Sequence, residues 1–311
     1  RMDTRYLGFE QLGATVEYIH RRAEKVEGYL VSAPNGLKGV YMLLDEASVT
    51  ATEHILMTAV LADGVTVIRN AACEPHVENL ANMLNSMGAK ISGIGTNMLV
   101  VEGVENLHGA EIMVGGDHIE AASYLALCAS TGGKIEISGA IEPHNYWMAR
   151  RMFERLGVKF ALSPGKIVLE QHNPMQVVPD MFNAMPVISD GPWPHFPSDM
   201  MSCLIAAATQ ASGTVMFFEK MFESRIYFVD KLISMGAKAV VCDPHRVVIS
   251  GPAALHGIEM SSPDIRAGMA MVVAAACAEG QSIIHNADMI YRGYENLQGK
   301  LIELGIDAKC G

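Results

Sequence analysis

Four residues of the sequence have types and positions that suit anion chemistry. Asp199 ends the run Phe196-Pro-Ser-Asp199, and three arginines follow it at Arg225, Arg266 and Arg292. Each lies just before or within a predicted helix of a repeating pattern, so segments far apart in the chain could bring them together. Planar guanidinium groups bind carboxylates and phosphates through paired hydrogen bonds and stay protonated. The sequence therefore predicts an anion-binding cluster that contains one carboxylate.

The elements that would position these residues come from an internal repeat. A helix that ends in Leu-Gly or Met-Gly recurs roughly every 70 to 80 residues, at Gly13, Gly88, Gly157, Gly236 and Gly305. Glycine at such a point can adopt the left-handed conformation that closes a helix. A small-residue helix, a β-rich strand and a second helix lead to this signal, and alternating strands follow it. Each unit is therefore predicted to have the order βαβαββ.

The first helix of each unit predicts the layering of the fold. Residues 121–129 and 267–278 are apolar nearly all round, and helices without a polar face are buried. We expect an α/β fold with helices inside and sheets outside, and the 21 methionines as packing material. The Gly115-Gly116 pair marks a boundary between two domains, residues 1–115 and 116–311, with a cleft between them.

Composition excludes several classes of function. The formal net charge is −11 and the 23 basic residues form no run, which argues against nucleic acid or an anionic membrane as partner. The six cysteines lack paired spacing, so we predict free thiols in a cytoplasmic protein. The histidines show no ligand spacing, and we predict no metal. The longest apolar run is too short to cross a bilayer.

Structural roles compete with functional ones at several positions. An aspartate before a helix is usually an N-cap, and this explanation applies to Asp199, Ser48 and Asp264. Arg225 and Arg292 would open amphipathic helices, where surface salt bridges are common. Trp193, between two prolines, is more typical of packing than of a stacking platform.

Several motifs together resemble the enolpyruvyl transferase family. They run the length of the chain: Ala47-Ser48-Val49-Thr50, Asn70-Ala-Ala-Cys-Glu74-Pro75, Phe196-Pro-Ser-Asp199, Phe222-Glu-Ser-Arg225, Asp264-Ile-Arg266 and Arg292-Gly-Tyr-Glu295. The resemblance implies an inside-out α/β barrel pair built from βαβαββ units. It also implies transfer of the enolpyruvyl group of phosphoenolpyruvate to the 3-hydroxyl of UDP-N-acetylglucosamine, with release of phosphate, in peptidoglycan precursor synthesis. No metal or organic cofactor is implied, and nothing in the sequence gives the oligomeric state.

The resemblance also assigns residues to this reaction. Arg225, Arg266 and Arg292 match the arginines that bind phosphoenolpyruvate, and Asp199 matches the carboxylate that contacts the attacking hydroxyl, a candidate general base. The catalytic candidates are then Asp199 and Arg292. Asp264 matches an acidic partner of the same site. The acceptor side is matched by the residues Asp3, Thr4, Glu46, Ala47, Ser48, Val49 and Met221.

The chain also departs from the family pattern. His118 stands where arginine is usual, Thr50 replaces a glycine, Tyr291 an aspartate and Cys73 an arginine. The first residues, from Arg1, read as a helix already in progress. We therefore expect an N-terminally incomplete first domain on the nucleotide-sugar side, without the family's lysine and its cysteine general acid. The second domain would be the phosphoenolpyruvate side, and the isolated chain would be inactive.

Two alternatives remain at this stage. Thr50 and His118 favour a paralogous transferase with another nucleotide acceptor. The expected absence of the cysteine loop favours a non-catalytic fragment that binds ligand without turnover. Both can be tested by asking which hydroxyl acceptor, if any, supports turnover.

Overall fold

Helices and strands alternate along the chain in the computed structural model, which describes residues 3–21, 26–170 and 174–309. The helices are α1 (Asp3–Gln11), α2 (Val49–Ala59), α3 (Pro75–Ser86), α4 (His118–Thr131), α5 (Trp147–Arg155), α6 (Ser198–Ala208), α7 (Val229–Ser234), α8 (Ile265–Ala276), α9 (Asp288–Tyr291) and α10 (Leu297–Glu303). The strands are β1 (Thr15–Arg21), β2 (Val26–Ser32), β3 (Tyr41–Leu43), β4 (Val65–Arg69), β5 (Lys90–Ser92), β6 (Met98–Glu102), β7 (Ile135–Ser138), β8 (Ala161–Ser163), β9 (Lys166–Leu169), β10 (Val187–Ser189), β11 (Gly213–Phe218), β12 (Lys238–Val241), β13 (Arg246–Gly251), β14 (Glu259–Ser261) and β15 (Ile283–His285).

The chain divides into two compact units, Arg1–Gly115 and Gly116–Gly311. In the first unit, β1 and β2 pair antiparallel, and a second sheet has the strand order β3-β4-β6-β5. In the second unit the sheets have the orders β7-β9-β8, β10-β11-β13-β12 and β14-β15. The four-stranded sheets are mixed, because β3 and β10 run parallel to their neighbours β4 and β11 while the remaining pairs are antiparallel. The fold is therefore α/β with mixed sheets.

Among the described residues, the order strand-helix-strand-helix-strand-strand occurs twice with all four of its strands in one sheet. It runs through β3, α2, β4, α3, β5 and β6, and again through β10, α6, β11, α7, β12 and β13. The glycine signal that predicted it is confirmed, since Gly13, Gly88, Gly157, Gly236 and Gly305 all have positive φ, between 76° and 106°. A residue with a Cβ atom would be strained in that conformation, so glycine ends these helices.

The prediction of buried helices is confirmed in the second unit. Ten residues of α6 are buried, and the buried positions of α4 and α8 also lie on most of their faces. These three helices pack against one another, and α8 covers Ile265–Ala276, a shift from the predicted 267–278. Each unit has its own apolar core, around α2 in the first and around α4, α6 and α8 in the second.

The structure also bears on the predicted first helix, the cysteines and the apolar segments. Residues 3–11 form α1, as the opening of the sequence predicted, while Arg1 lies outside the described residues. Cys73, Cys128, Cys203, Cys242 and Cys277 are free thiols, and Cys310 lies outside the described part of the chain. Among the described residues, no helix is long and apolar enough to cross a membrane.

Candidate functional site

The carboxylate of Asp199 lies between two guanidinium groups. Arg225 Nη2 donates to Asp199 Oδ1 at 2.7 Å, and Arg266 donates to Oδ2 through Nε at 3.0 Å and through Nη2 at 2.9 Å. The three side chains are 32%, 20% and 17% exposed, so the cluster is partly open to solvent. The structure therefore brings together Asp199, Arg225 and Arg266.

The first turns of two buried helices position this cluster. Asp199 lies in the first turn of α6, whose N-cap residue is Pro197 and not Asp199. Arg266 lies in the first turn of α8, which packs against α6, so both side chains emerge at the same end of the helix pair. Arg225 opens a short 3-10 helix before α7 and stacks on Phe222, with the guanidinium carbon 4.6 Å from the ring centroid. The explanation of Asp199 as a cap is therefore wrong.

Opposing effects act on the ionisation of Asp199. Burial would raise the pKa of its carboxyl, but the charges of Arg266 and Arg225 and their hydrogen bonds outweigh burial and lower the pKa below its ordinary value. Asp199 is therefore an anion at neutral pH, as a general base must be. It is also a weak base while both arginines hold it.

The third nitrogen of Arg266, Nη1, does not contact Asp199. Nη1 is buried and has no hydrogen-bond acceptor among the described residues. The guanidinium carbon lies 5.9 Å from the centroid of the Tyr294 ring, and the Tyr294 hydroxyl is 2.7 Å from Ser123 Oγ. The Tyr294 side chain therefore lies beside the Arg266 guanidinium and interacts with it electrostatically.

A hydrogen-bond network that the sequence did not predict connects Arg225 to two buried carboxyl groups. Arg225 Nη1 donates to Ser198 Oγ, and Ser198 Oγ donates to the Glu219 carboxyl, whose oxygens lie 2.9 Å and 2.8 Å away. Glu219 and Asp190 are both fully buried. Burial and the hydrogen bond and charge of Asp190 raise the pKa of Glu219 to about 8.

The position of these two carboxyl groups could have been found from the strands. Asp190 directly follows β10 and Glu219 directly follows β11, and β10 and β11 are parallel neighbours. Carboxyl ends of adjacent parallel strands meet at one edge of a sheet. The signal was an acidic residue immediately after each of two consecutive strands.

The structure differs from expectation at Arg292. This residue follows the one-turn helix α9 as its C-cap, so it does not open a helix. Its side chain is exposed and forms no ion pair with the described residues. The next residue, Gly293, lies against the site, because a Cβ atom there would be 2.8 Å from Ile265 and 3.7 Å from Arg266 Nη1. Only the backbone beside Arg292 is brought to the cluster.

Two further candidates of the second unit lie close to this network. Asp264 is the N-cap of α8 and accepts from the N–H groups of Arg266 and Ala267, at 2.8 Å and 2.9 Å. The backbone N–H of Met221 donates to Asp190 and to Glu219, both at 3.2 Å, and the Met221 side chain is exposed. Asp264 orients the helix that carries Arg266, and Met221 lies in the turn between Glu219 and Arg225.

The candidates of the first unit form a second group. Thr4 Oγ1 donates to Glu46 at 3.3 Å, which joins the start of α1 to the chain before α2. Ser48 is the N-cap of α2 and accepts from the Ala51 N–H at 3.3 Å. Ala47 and Val49 flank it, half-buried, whereas Asp3 is exposed at the start of α1. These stretches meet at the first turn of α2, where backbone N–H groups favour anions.

Other polar residues have structural contacts. The rings of His118 and Trp193 meet edge to face with their centroids 5.7 Å apart, which agrees with a packing role for Trp193. Within the described residues, no group of three His, Cys, Asp or Glu side chains is placed to hold a metal ion.

The chain that carries this arginine and carboxylate cluster matches a known protein family over most of its length. Residues 2–301 match the family EPSP synthase (3-phosphoshikimate 1-carboxyvinyltransferase). The chain belongs to this family of carboxyvinyl, or enolpyruvyl, transferases.

Its curated relatives carry a more particular name. The chain is 50% identical over 309 residues to the UDP-N-acetylglucosamine 1-carboxyvinyltransferase of Borreliella burgdorferi. The aligned residues cover 99% of this chain and 70% of the relative. The enzymes of the same name from Bradyrhizobium diazoefficiens and Bacteroides fragilis are 48% and 46% identical, over 99% and 98% of this chain and 70% of each relative.

Solved structures agree on the fold. The enolpyruvyl transferase NikO from Streptomyces tendae superimposes with a TM-score of 0.85 at 20% identity, over 99% of this chain and 72% of that one. An EPSP synthase from Acinetobacter baumannii gives a TM-score of 0.73 at 19% identity, over 97% and 70%.

Proposed function

We propose that this chain provides the phosphoenolpyruvate and acceptor sites for transfer of an enolpyruvyl group to the 3-hydroxyl of UDP-N-acetylglucosamine. Phosphate is the second product. The observation that carries the proposal is the Asp199 carboxylate held by Arg225 and Arg266. Relatives about half identical to this chain carry the name of this reaction, which supports the choice of acceptor.

The donor side is the cluster on α6 and α8. Phosphoenolpyruvate carries a carboxylate and a phosphate, and guanidinium groups bind both in paired geometry. A substrate anion that accepts from Arg225 and Arg266 would compete with Asp199 for the two arginines. Arg292 is proposed to join this group through its exposed side chain, with Gly293 allowing the backbone to approach Arg266.

Asp199 is the proposed general base. As the substrate anion replaces Asp199 on the arginines, the charges that lower its pKa are shared, and the carboxylate becomes a stronger base. It then accepts the proton of the attacking hydroxyl, whose oxygen bonds to the central carbon of phosphoenolpyruvate as the double bond opens. The methylene carbon takes up a proton from a general acid, the cysteine that the family resemblance implies. The resulting tetrahedral intermediate loses phosphate and a proton of the new methyl group, which restores the double bond in the product.

The acceptor side is proposed to lie on the first unit. Asp3, Thr4 and Glu46 through Val49 would bind the uridine and diphosphate of the nucleotide sugar, with the start of α2 near the diphosphate. Met221 would contact the sugar, and Asp264 would complete the donor site. We further propose that the βαβαββ repeats form inside-out α/β barrels, one in each of the two compact units of the chain.

A reaction assay tests this function. The full-length protein that carries this chain is incubated with phosphoenolpyruvate and UDP-N-acetylglucosamine, and released phosphate is measured while the nucleotide product is weighed by mass spectrometry. We expect phosphate release that requires both substrates, and a product heavier by one enolpyruvyl group. Absence of release contradicts the proposal. Release with a different hydroxyl acceptor only would retain the donor site and overturn the acceptor.

A further inference from the structure

We infer that Glu219 is a positioning residue for Arg225, which it orients through the Ser198 hydroxyl and through the turn that leads to Arg225. The inference rests on the proposed function, because Arg225 is one of its donor-site arginines. Neither Glu219 nor its buried neighbour Asp190 touches the Asp199 cluster directly.

The hydrogen-bond directions in this chain of contacts follow from the groups involved. A guanidinium can only donate, so Ser198 Oγ must accept from Arg225 Nη1. Its single hydrogen is then directed to the Glu219 carboxyl, at 2.9 Å or 2.8 Å. Glu219 thus orients the Ser198 hydroxyl that accepts from Arg225.

The same carboxyl group fixes the turn that leads to Arg225. Glu219 Oε1 accepts from the backbone N–H groups of Met221 and Phe222, at 3.2 Å and 3.1 Å. Asp190 accepts from the N–H groups of Lys220 and Met221. Phe222 stacks on Arg225, so the turn and the serine hydroxyl both locate the guanidinium.

The charges around the pair of Glu219 and Asp190 determine how it titrates. Glu219 faces Asp190 from β10, Ser198 from α6 and Arg225 from the 3-10 helix, while His245 Nδ1 lies 2.7 Å from its backbone oxygen and Lys220 follows it in sequence. The Lys220 ammonium is turned to Ser189, 3.1 Å away, and its interaction with the Phe218 ring places it outside the pair. Burial and the neighbouring Asp190 raise the pKa of Glu219, and the hydrogen bond from Ser198 and the charge of Arg225 oppose that rise without cancelling it.

Loss of the Glu219 proton would weaken the donor site. With Glu219 protonated, the pair carries one negative charge. With Glu219 ionised, it carries two, and the added charge draws Arg225 through Ser198 and competes with the substrate anion. Because burial and Asp190 raise the pKa of Glu219 to about 8, this change falls in an accessible pH range.

Phosphoenolpyruvate binding across pH tests the inference. Dissociation constants are measured calorimetrically from about pH 6 to about pH 9 for wild type, Glu219→Gln and Glu219→Ala, with Glu223→Gln as an exposed control in the same loop. Glutamine is neutral but keeps a hydrogen-bond acceptor for Ser198. We expect the wild-type constant to rise about ten-fold over that of Glu219→Gln as pH increases, while Glu219→Ala binds weakly throughout.

At each pH the wild-type dissociation constant is divided by that of the variant. The ionisation of phosphoenolpyruvate affects both constants equally, so it cancels in this ratio. The inference is overturned if the dissociation constant of Glu219→Gln varies with pH as that of wild type does. It is also overturned if Glu223→Gln shows the pH-independent binding expected of Glu219→Gln. If Glu219→Gln does not fold, Asp190→Asn is measured in its place. Asp190 raises the pKa of Glu219, so in this variant the loss of phosphoenolpyruvate affinity must occur at lower pH than in wild type. A wild type that binds phosphoenolpyruvate at no pH refutes the proposed function, a result distinct from pH-independent binding.

Discussion

Asp199 fills the space between Arg225 and Arg266 in the way that a substrate carboxylate would. Both guanidinium groups are neutralised by one side chain, and their exposure is low but not zero. A substrate anion therefore does not meet bare positive charge. In the proposed function the anion would exchange with Asp199, and that exchange would link anion binding to the basicity of Asp199.

Replacement of Arg266 tests the donor site at its least solvated residue. We expect Arg266→Ala to weaken phosphoenolpyruvate binding about 10- to 100-fold, because charged hydrogen bonds from two nitrogens are lost. Arg266→Lys keeps the charge but loses the planar fork, and should recover only part of the affinity. The measurement is calorimetric titration, with the exposed Arg150→Ala as control. Equal affinities in all four proteins would exclude Arg266 from the site.

Replacement of Asp199 tests the base. Asp199→Asn keeps the shape of the side chain and cannot accept a proton, so turnover should fall by about 10²- to 10⁴-fold. Phosphoenolpyruvate should still bind, since both arginines remain. Steady-state kinetics and calorimetry on the full-length protein separate the two effects. Turnover within a few-fold of wild type would remove Asp199 from the chemistry.

The ion pairs of Asp199 also predict a pH dependence of stability. The folded-state pKa of Asp199 is lowered from 3.8, so its stabilising contribution is present above that value and is lost as pH falls through the folded pKa. Asp199→Asn should therefore be less stable than wild type at neutral pH, with a gap that closes in acid. Urea unfolding at a series of pH values measures it, with the exposed Asp230→Asn as control. A gap that is constant down to the acid limit would contradict the assignment.

At the scale of elements, the starts of α6 and α8 determine the site. Asp264 caps α8 through two backbone N–H groups and so fixes the turn that carries Arg266. Helix starts are well suited to this because their first N–H groups need external acceptors.

The cap of α8 has a measurable contribution to folding. Asp264→Ala should lower the free energy of unfolding by about 1 kcal/mol, whereas Asp264→Asn should lie close to wild type because asparagine also caps. Urea unfolding of the three proteins provides the comparison. If asparagine and alanine destabilise equally, the capping role is wrong.

The sequence allowed most elements to be predicted because glycine closes the repeated helices. The signal at Gly88 or Gly236 depends only on local backbone conformation, which is readable from the chain. The prediction that Arg292 opens a helix was wrong because α9 has only four residues, too few for a periodic pattern. Glu219 and Asp190 were missed because their proximity depends on β10 and β11 being parallel neighbours, a tertiary fact. The bridging of Asp199 by two arginines likewise requires α6 and α8 to pack side by side.

At the scale of the molecule, each unit has an apolar core of its own. Leu56 is fully buried in the core of the first unit, and Leu204 is 1% exposed in that of the second. The donor cluster belongs wholly to the second unit, and the group around Ser48 to the first.

Separate cores predict separate responses to a cavity. Leu56→Ala should cost about 2 to 5 kcal/mol and accelerate hydrogen exchange in α2 and β4, with little change in α6 and α8. Leu204→Ala is the matched variant and should give the opposite pattern. Peptide-resolved hydrogen exchange by mass spectrometry measures both. Equal acceleration in both units by either variant would show one cooperative structure.

The most direct test of the central claim is a crystal structure of this protein with phosphoenolpyruvate. We predict that a carboxylate or phosphate oxygen accepts from Arg225 or Arg266, and that Asp199 has left at least one of the two guanidinium groups. A ligand bound elsewhere, with Asp199 still bridging Arg225 and Arg266, would contradict the assignment of this cluster as the donor site.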